Sequence, residues 1–256
     1  MNIVRLALRM LLRDLRAGEL HLLALALIVA VASLSSVGFL TDRVGRSLDR
    51  EANQLLGGDL LLSADHAWTD PFRELARSEG LHTADTYVFS SMVGTESAVQ
   101  LAAVKAVGAG YPLRGSVRIA PARNAPDAVV ASIPPQGEIW PDERVIAALG
   151  VSVGDTVQLG LVSMKIGGVL TFESDRGANF FSMLPRVMVN AADLPATGLI
   201  QTGSRVSYRL HVAGETAAVA QFRERATAIL ARGQRIESID NARPEVRVAL
   251  ERAERF

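Results

Sequence analysis

Five charged residues in the second half of the chain have the types and spacing of a charged loop and its neighbours. Glu173, Asp175 and Arg176 lie together in the segment ESDR, and Arg186 and Arg205 follow further along the chain. Carboxylates beside an arginine can serve as acid and base at an active site, but in a loop they more often form a surface or interdomain ion pair. We therefore predict an ion-pair loop without a catalytic role.

The other reactive residue types do not combine into a known catalytic, nucleotide-binding or metal-binding motif. The glycine-rich segment GAGYPLRG has proline where a phosphate-binding helix would begin, and no G-x-S-x-G segment presents a serine nucleophile. Cysteine is absent, and no two histidines have H-x-x-x-H spacing. We expect no enzyme activity and no metal or cofactor bound by this chain. The histidines are His21, His66, His82 and His211.

The charge balance argues against a nucleic-acid partner. The 256 residues include 27 basic and 27 acidic side chains, so there is no general basic surface. Nearly all basic residues are arginine, with lysine only at Lys105 and Lys165. We interpret this bias as a consequence of GC-rich codons and not as a functional feature.

An uncharged apolar segment near the amino terminus, residues 20–40, is long enough to cross a membrane. As an α-helix its 21 residues extend about 31 Å, close to the hydrocarbon thickness of a bilayer. Residues 1–19 place arginines and leucines at helical spacing, which predicts a basic amphipathic helix on the membrane surface. A cleaved signal peptide is the alternative, although its apolar part is usually shorter. We predict a transmembrane helix held in the lipid bilayer.

The charges on either side of this segment predict its orientation. Residues 1–19 carry four arginines and two acidic residues, whereas residues 41–256 carry 23 basic and 25 acidic residues. Because positively charged flanks stay in the cytoplasm, we expect a cytoplasmic amino terminus and a periplasmic main domain in a bacterial inner membrane. Small residues four apart in the apolar segment would allow other transmembrane helices to pack closely against it.

The exported part begins with a stalk and an α/β subdomain. Residues 41–56 have helical spacing and should extend the transmembrane helix until two glycines stop it. Residues 57–108 predict a strand, a helix and two paired strands, and residues 204–240 predict a strand, a helix and a strand. These two parts should form one split βαβ-like layer.

The remaining residues predict an insertion and an unfinished helix. Residues 109–203 are rich in turns and then mostly strand, which predicts a β-rich inserted subdomain. Residues 241–256 begin an amphipathic helix, which we interpret as leading toward a second transmembrane span, with a frayed terminal helix as the alternative. The predicted fold class is therefore α+β, with one amino-terminal transmembrane helix.

Five segments of the exported part have a familiar order and spacing: GYPLRG at 110–115, PPQGEIW at 134–140, ESDRG at 173–177, LPR at 184–186, and DLPATGLIQTGSRVSYRL at 193–210. Together with the single amino-terminal span, they resemble the FtsX-like permease family of ABC transporters, and within it the YbbP-type large permeases. The exported domain of those permeases is similar to the MacB-type periplasmic core, so the resemblance implies that fold. Ser174 departs from the family pattern, in which proline is expected, and this puts the rigidity of that turn in doubt.

The resemblance implies a type VII-like ABC system, in which a permease relays ATP-driven motion from a separate cytoplasmic ATPase to its periplasmic domain. ATP would be bound by that partner, and the other partners would be further transmembrane helices of the same permease and a periplasmic protein. The implied export substrates are lipids, lipoproteins or other envelope molecules. The resemblance also implies that this chain is an amino-terminal fragment. The alternatives are a membrane-tethered periplasmic binding or adaptor domain without an ATPase, and an anchored enzyme.

Overall fold

One long helix precedes the folded domain. A computed structural model describes residues 19–176 and 183–237, so the predictions for residues 1–18 and 241–256 lie outside the described residues. Helix α1 runs without a break over Glu19–Leu56. Its stretch Leu25–Val44 is long and apolar enough to cross a membrane, and none of that stretch is buried within the chain. The single amino-terminal apolar helix is thus confirmed, and it continues through the predicted stalk.

The carboxyl end of α1 is closed by two glycines, as predicted. The amide of Gly57 donates to the carbonyl of Gln54 at 3.2 Å, and the amide of Gly58 donates to the carbonyl of Asn53 at 3.2 Å. Gly57 has a φ of +68°, the left-handed conformation that this helix ending requires. The helix therefore ends at Leu56, and the first strand begins at Leu60.

The residues after α1 form the predicted split βαβ layer. Strand β1 lies between β11 and β12 and is antiparallel to both, and β11 also pairs with β2. Helices α2 and α5 cover one face of these strands, where Leu62, Phe72 and Phe222 share a core. The elements are β1 Leu60–Ala64, α2 Asp70–Ser78, β2 His82–Gly94, β3 Val99–Val107, β11 Ser207–Ala213, α5 Thr216–Ala228 and β12 Gln234–Glu237.

Strands from the middle of the chain, residues 109–203, belong to the same main sheet as strands from the predicted α/β subdomain. The division at residues 108 and 203 stays a prediction. The nine strands of the main sheet have the order β12-β1-β11-β2-β3-β10-β6-β8-β7, so strands from both predicted parts are hydrogen-bonded together. The end of β2 also pairs with β7, which closes six strands into a barrel. The added elements are β6 Glu138–Pro141, α3 Glu143–Leu149, β7 Thr156–Leu159, β8 Val162–Ile166 and β10 Arg186–Asn190.

A second, three-stranded sheet has the order β5-β4-β9. Its strands are β4 Val117–Ala120, β5 Ala128–Val130 and β9 Val169–Glu173. The chain leaves β8 at Gly167 and enters this other sheet. Val117 and Leu170 pack with Trp140 and Met188 of the main sheet, so the two sheets share a core.

Two short helical turns connect β10 to the loop before β11. They are a 3-10 turn at Ala191–Asp193 and α4 at Leu194–Thr197. The outcome is an α+β domain, and this fold class is confirmed.

Candidate functional site

A buried lysine is the centre of the most polar region of the domain core. The ammonium of Lys105 lies 2.5 Å from Oε1 of Glu173, 2.7 Å from Oδ2 of Asp175 and 2.7 Å from the hydroxyl of Tyr111. Only 1% of Lys105 is exposed. We call Lys105, Tyr111, Glu173, Asp175 and Arg186 the ion cluster.

The fold explains why these side chains meet. Lys105 lies in β3, which pairs with β2 on one side and β10 on the other, so its position is fixed at the middle of the main sheet. Glu173 is the last residue of β9 and Asp175 is in the turn that follows. A lysine ammonium is compact and has three donors, and therefore suits three acceptors that approach from different directions.

Burial and charge both act on the ionisation of the cluster. Burial raises the pKa of Tyr111 well above its ordinary value, and the negative charges of Asp175 and Glu173 add to this effect. The hydroxyl therefore remains protonated and donates to Asp175. Burial raises the pKa of Asp175, but the charge of Lys105, together with His211 and the hydrogen bonds from Lys105 and Tyr111, outweighs burial and holds that pKa below its ordinary value. Asp175 is thus a carboxylate.

Arg186 supplies the second cation of the cluster. Its Nε lies 3.3 Å from Oε2 of Glu173, without hydrogen-bond geometry, and only 2% of the residue is exposed. With Lys105 and Arg186 positive and Glu173 and Asp175 negative, the formal charges of the buried groups balance. A buried group of charges is tolerated only when it is paired in this way.

A further buried carboxylate, Asp142, lies at the start of α3. It accepts hydrogen bonds from the backbone amides of Val145 at 3.1 Å and Arg186 at 2.9 Å. The guanidinium groups of Arg144 and Arg176 lie 3.2 Å and 3.3 Å from the same carboxylate. Asp142 therefore caps α3 and joins it to β10, beside the ion cluster.

The five residues predicted as an ion-pair loop have three different environments. Glu173, Asp175 and Arg186 meet in the ion cluster, whereas Arg176 is paired with Asp142. Arg205 is exposed and no described contact connects it to the other four. Glu173 and Asp175 are buried, with 5% and 4% of each residue exposed. The reason is that Lys105, distant in sequence, neutralises them inside the core.

His211 connects the ion cluster to the end of α1. Its Nδ1 lies 2.9 Å from the carbonyl oxygen of Leu56, and its Nε2 lies 2.9 Å from the hydroxyl of Thr86. The same Nε2 is 4.0 Å from Oδ2 of Asp175. Burial lowers the pKa of His211 to about 4, so the ring is neutral near pH 7.

Three segments that carried the family resemblance converge around this helix end. Arg114, in GYPLRG, makes a two-pronged ion pair with Asp59 at 2.8 and 2.9 Å, and its amide donates to the carbonyl of Gly57. Gly115 lies against the ESDR turn, where an added Cβ would lie 2.6 Å from Cβ of Ser174. His211 follows SYRL in β11. We call Asn53–Asp59 and the residues packed on it the helix joint.

Ser174 makes its own hydrogen bonds in place of the expected proline. Its hydroxyl accepts from the amide of Ser116 at 2.6 Å and donates to the carbonyl of Ser116 at 2.8 Å. These bonds fix the ESDR turn to the strand that follows GYPLRG. The departure from the family pattern therefore leaves the turn well anchored.

The geometry of the ion cluster suits a structural role, in which it holds neighbouring strands and turns together, and does not suit catalytic turnover of a substrate. Both carboxylates are occupied by Lys105, and the cluster is closed to solvent. Within residues 19–176 and 183–237, no three His, Asp or Glu side chains converge as metal ligands. An open cavity of about 270 Å³ lies elsewhere, beside Arg123 and Ser152 at the end of α3.

Four residues of the site lie outside the set predicted from the sequence: Lys105, Tyr111, Asp142 and His211. A usable signal existed for Lys105, which is a single charge within the apolar strand LAAVKAV. A charge at such a position is buried and needs partners. His211 had no comparable signal, because its partners are a backbone carbonyl and a threonine.

Comparison with known proteins finds sequence similarity to a transporter permease. No family model matches the chain. Over 202 residues, which are 79% of the chain, its sequence is 33% identical to YbbP of Escherichia coli strain K12, an uncharacterized ABC transporter permease. The chain is homologous to an ABC transporter permease. This relation confirms the resemblance that the sequence segments indicated.

The homologous permease is much longer than the matched region. The match covers 24% of that protein, so this chain spans about a quarter of the length of the curated relative. Among solved structures, the domain is similar to the periplasmic region of MacB from Actinobacillus actinomycetemcomitans, with 12% identity and a TM-score of 0.47 over 78% of this chain and 96% of that one. It is also similar to the extracellular domain of the ABC-type transporter YknZ from Gram-positive bacteria, with 11% identity and a TM-score of 0.44 over 70% of this chain and 100% of that one.

Proposed function

We propose that this chain is part of the permease component of an ABC transporter in the bacterial inner membrane. Two observations support the proposal: the homology to a permease over 79% of the chain, and the apolar stretch Leu25–Val44 in α1. The arginine-rich amino terminus then faces the cytoplasm and the α+β domain faces the periplasm. The alternative of a tethered adaptor domain without an ATPase is an outcome of the test below.

The proposed mechanism is mechanical. A separate cytoplasmic ATPase binds and hydrolyses ATP, and α1 relays the resulting motion to the domain. The observation that carries this proposal is the continuity of α1 over Glu19–Leu56, together with the closed ending at Gly57. A helix can transmit displacement along its axis only where its hydrogen-bonded ladder is unbroken. The export substrate implied by the family resemblance is a lipid or lipoprotein of the cell envelope.

The test breaks the helix without touching its joint to the domain. An insertion at Asn53 would disturb the helix ending itself, because Asn53 also donates to Asp59. Four glycines are therefore inserted after Ser47, and four alanines at the same position give the matched control. Both insertions add about 6 Å of helix, but each glycine costs about 1 kcal/mol of helix stability relative to alanine.

The measurement uses the protein purified in detergent together with any ATP-binding subunit that co-purifies with it. A fluorophore on Ser97→Cys, in the exposed turn between β2 and β3, reports motion of the domain. We expect an ATP-dependent fluorescence change in the natural protein and the alanine variant, and its loss in the glycine variant while ATP hydrolysis continues. Failure of any ATP-binding subunit to co-purify, or equal signals with glycine and alanine, would contradict the proposal.

A further inference from the structure

We propose that Lys105 is the positioning residue of the helix joint: it acts through Asp175 to fix the end of α1 against the middle of the main sheet. The connection runs from Lys105 to Asp175, then to the contact of Asp175 with Gly57 and His211, and from His211 to the carbonyl of Leu56. Its importance for transport rests on the proposed function, but the positioning itself can be measured without an ATPase.

The first step is the contact between the helix ending and the cluster. A Cβ placed on Gly57 would lie 2.9 Å from Oδ2 of Asp175 and 3.1 Å from Nδ1 of His211. Gly57 is therefore seated directly on these two side chains, with no room for even a methyl group. A displacement of either side chain must displace the helix ending.

The second step is that Lys105 determines where Asp175 lies. Both oxygens of Asp175 contact the Lys105 ammonium, at 2.7 and 2.8 Å, and Tyr111 donates to one of them. Without that ammonium, the nearest ionisable group on the helix side is His211, 4.0 Å away. The carboxylate then closes on His211 or takes up a proton, because it cannot remain buried with its charge unpaired. Either change alters the surface that carries Gly57.

The outer contact of the helix joint is open to water, unlike the buried connection through Lys105. Asp59 and Arg114 also hold the helix ending, but the Arg114 side chain is 43% exposed and water can replace it. The Lys105 and Asp175 side chains are 1% and 3% exposed, so water cannot take the place of either. The buried connection therefore sets the position, and the outer pair only supports it.

The test measures the position of the helix ending directly. Because the chain contains no cysteine, spin labels can be attached at Leu55→Cys and Ser97→Cys alone. Leu55 is 49% exposed, and Ser97 lies in the turn beyond Gly94, which is about 27 Å along β2 from Thr86 at the strand rise per residue. The distance distribution between the labels is recorded by pulsed electron paramagnetic resonance in the full chain in detergent.

Two variants separate positioning from simple charge compensation. Lys105→Met removes the ammonium, and Lys105→Met/Asp175→Asn removes it while keeping the buried charges balanced. Lys165→Met, at an exposed position in β8, is the matched control. We expect the natural protein and the control to share one narrow distribution, and the double variant to be about twofold broader although it folds. A double variant with the natural width would overturn the proposal, since charge balance alone would then suffice.

A second readout connects the joint to transport. In complex with the ATP-binding subunit, the double variant should lose most of the ATP-dependent signal at position 97, whereas Lys165→Met should keep it. If the natural protein gives no such signal, the proposed function fails while the distance measurement still decides the role of Lys105. A broad distribution with an undiminished signal would overturn the role of Lys105 in coupling.

Discussion

The ring nitrogen Nδ1 of His211 donates to the carbonyl oxygen of Leu56 over 2.9 Å. Because a carbonyl can only accept, the proton of the neutral ring is on Nδ1, and Nε2 accepts from the hydroxyl of Thr86. The last carbonyls of a helix have no partner within the helix. A histidine in the core of the domain therefore satisfies the end of α1 from outside the helix.

Stability should fall as the medium becomes acidic, because of His211. Burial lowers the pKa of His211 to about 4 from an ordinary 6.5. The positive charges of Lys105 and Arg209 also lower this pKa, whereas the negative charge of Asp175 raises it. The unfolded chain therefore binds this proton more tightly than the folded one. The contribution of neutral His211 to the free energy of unfolding should be fully present above pH 6.5. The free energy of unfolding should decrease by up to about 3 kcal/mol as the pH falls to 4.

Thermal unfolding of the full chain in detergent, followed by the fluorescence of the buried Trp68 and Trp140, checks this dependence. His211→Gln should flatten the profile between pH 6.5 and 4, since an amide can still donate to Leu56 but does not titrate. His82→Gln, at an exposed position, is the control and should keep the natural profile. An unchanged slope in His211→Gln would show that another group is responsible.

Gly115 should tolerate no side chain, because two constraints act on it together. Its φ is +86°, and an added Cβ would lie 2.6 Å from Cβ of Ser174 and 3.2 Å from the carbonyl oxygen of Gln54. Gly137 has a similar φ of +77°, but nothing lies within 4 Å of its added Cβ. Gly137→Ala should therefore cost only the backbone strain, about 1–2 kcal/mol, and Gly115→Ala clearly more. Equal losses in melting temperature would mean that the contact with the ESDR turn is loose.

Asp142→Ala should destabilise the domain through two backbone amides. The variant removes the acceptor for the amide of Val145 at the start of α3 and for the buried amide of Arg186. A lost helix cap and an unsatisfied buried donor together predict about 2–4 kcal/mol. Asp155→Ala removes one exposed amide contact, to Ser152, and should cost less than about 1 kcal/mol. Urea unfolding of the two variants gives both values, and a similar cost for both would refute the role assigned to Asp142.

The sequence predicted those elements whose signals are local. Helix α2 follows from Thr69, Asp70 and Pro71 at its start, and the hairpin of β2 and β3 follows from two apolar strands joined by a short turn. The joining of the middle strands to the main sheet was not predictable in this way. It depends on the parallel pairing of β3 with β10, which are distant in sequence and carry no local signal for each other.

Only part of the ion cluster could be predicted from the sequence. Glu173, Asp175 and Arg186 were selected because charges gather in and near one loop, but their burial depends on Lys105, 68 residues before Glu173. The rarity of lysine was interpreted as codon bias, although Lys105 and Lys165 have opposite environments, one buried and one exposed. Pairwise spacing along the chain cannot show which strand brings a counter-charge to a loop.

The labelling of a cysteine on the folded domain most directly tests whether α1 anchors that domain outside the cytoplasm. Ser97→Cys in the otherwise cysteine-free chain is exposed to a membrane-impermeant maleimide on intact spheroplasts, with Asn2→Cys as the cytoplasmic control. If α1 anchors the domain in this way, we expect full labelling at position 97 before lysis and labelling at position 2 only after lysis. We also expect uncleaved protein in the membrane fraction. Labelling at position 97 only after lysis, or recovery of soluble protein that lacks residues 20–40, would contradict it.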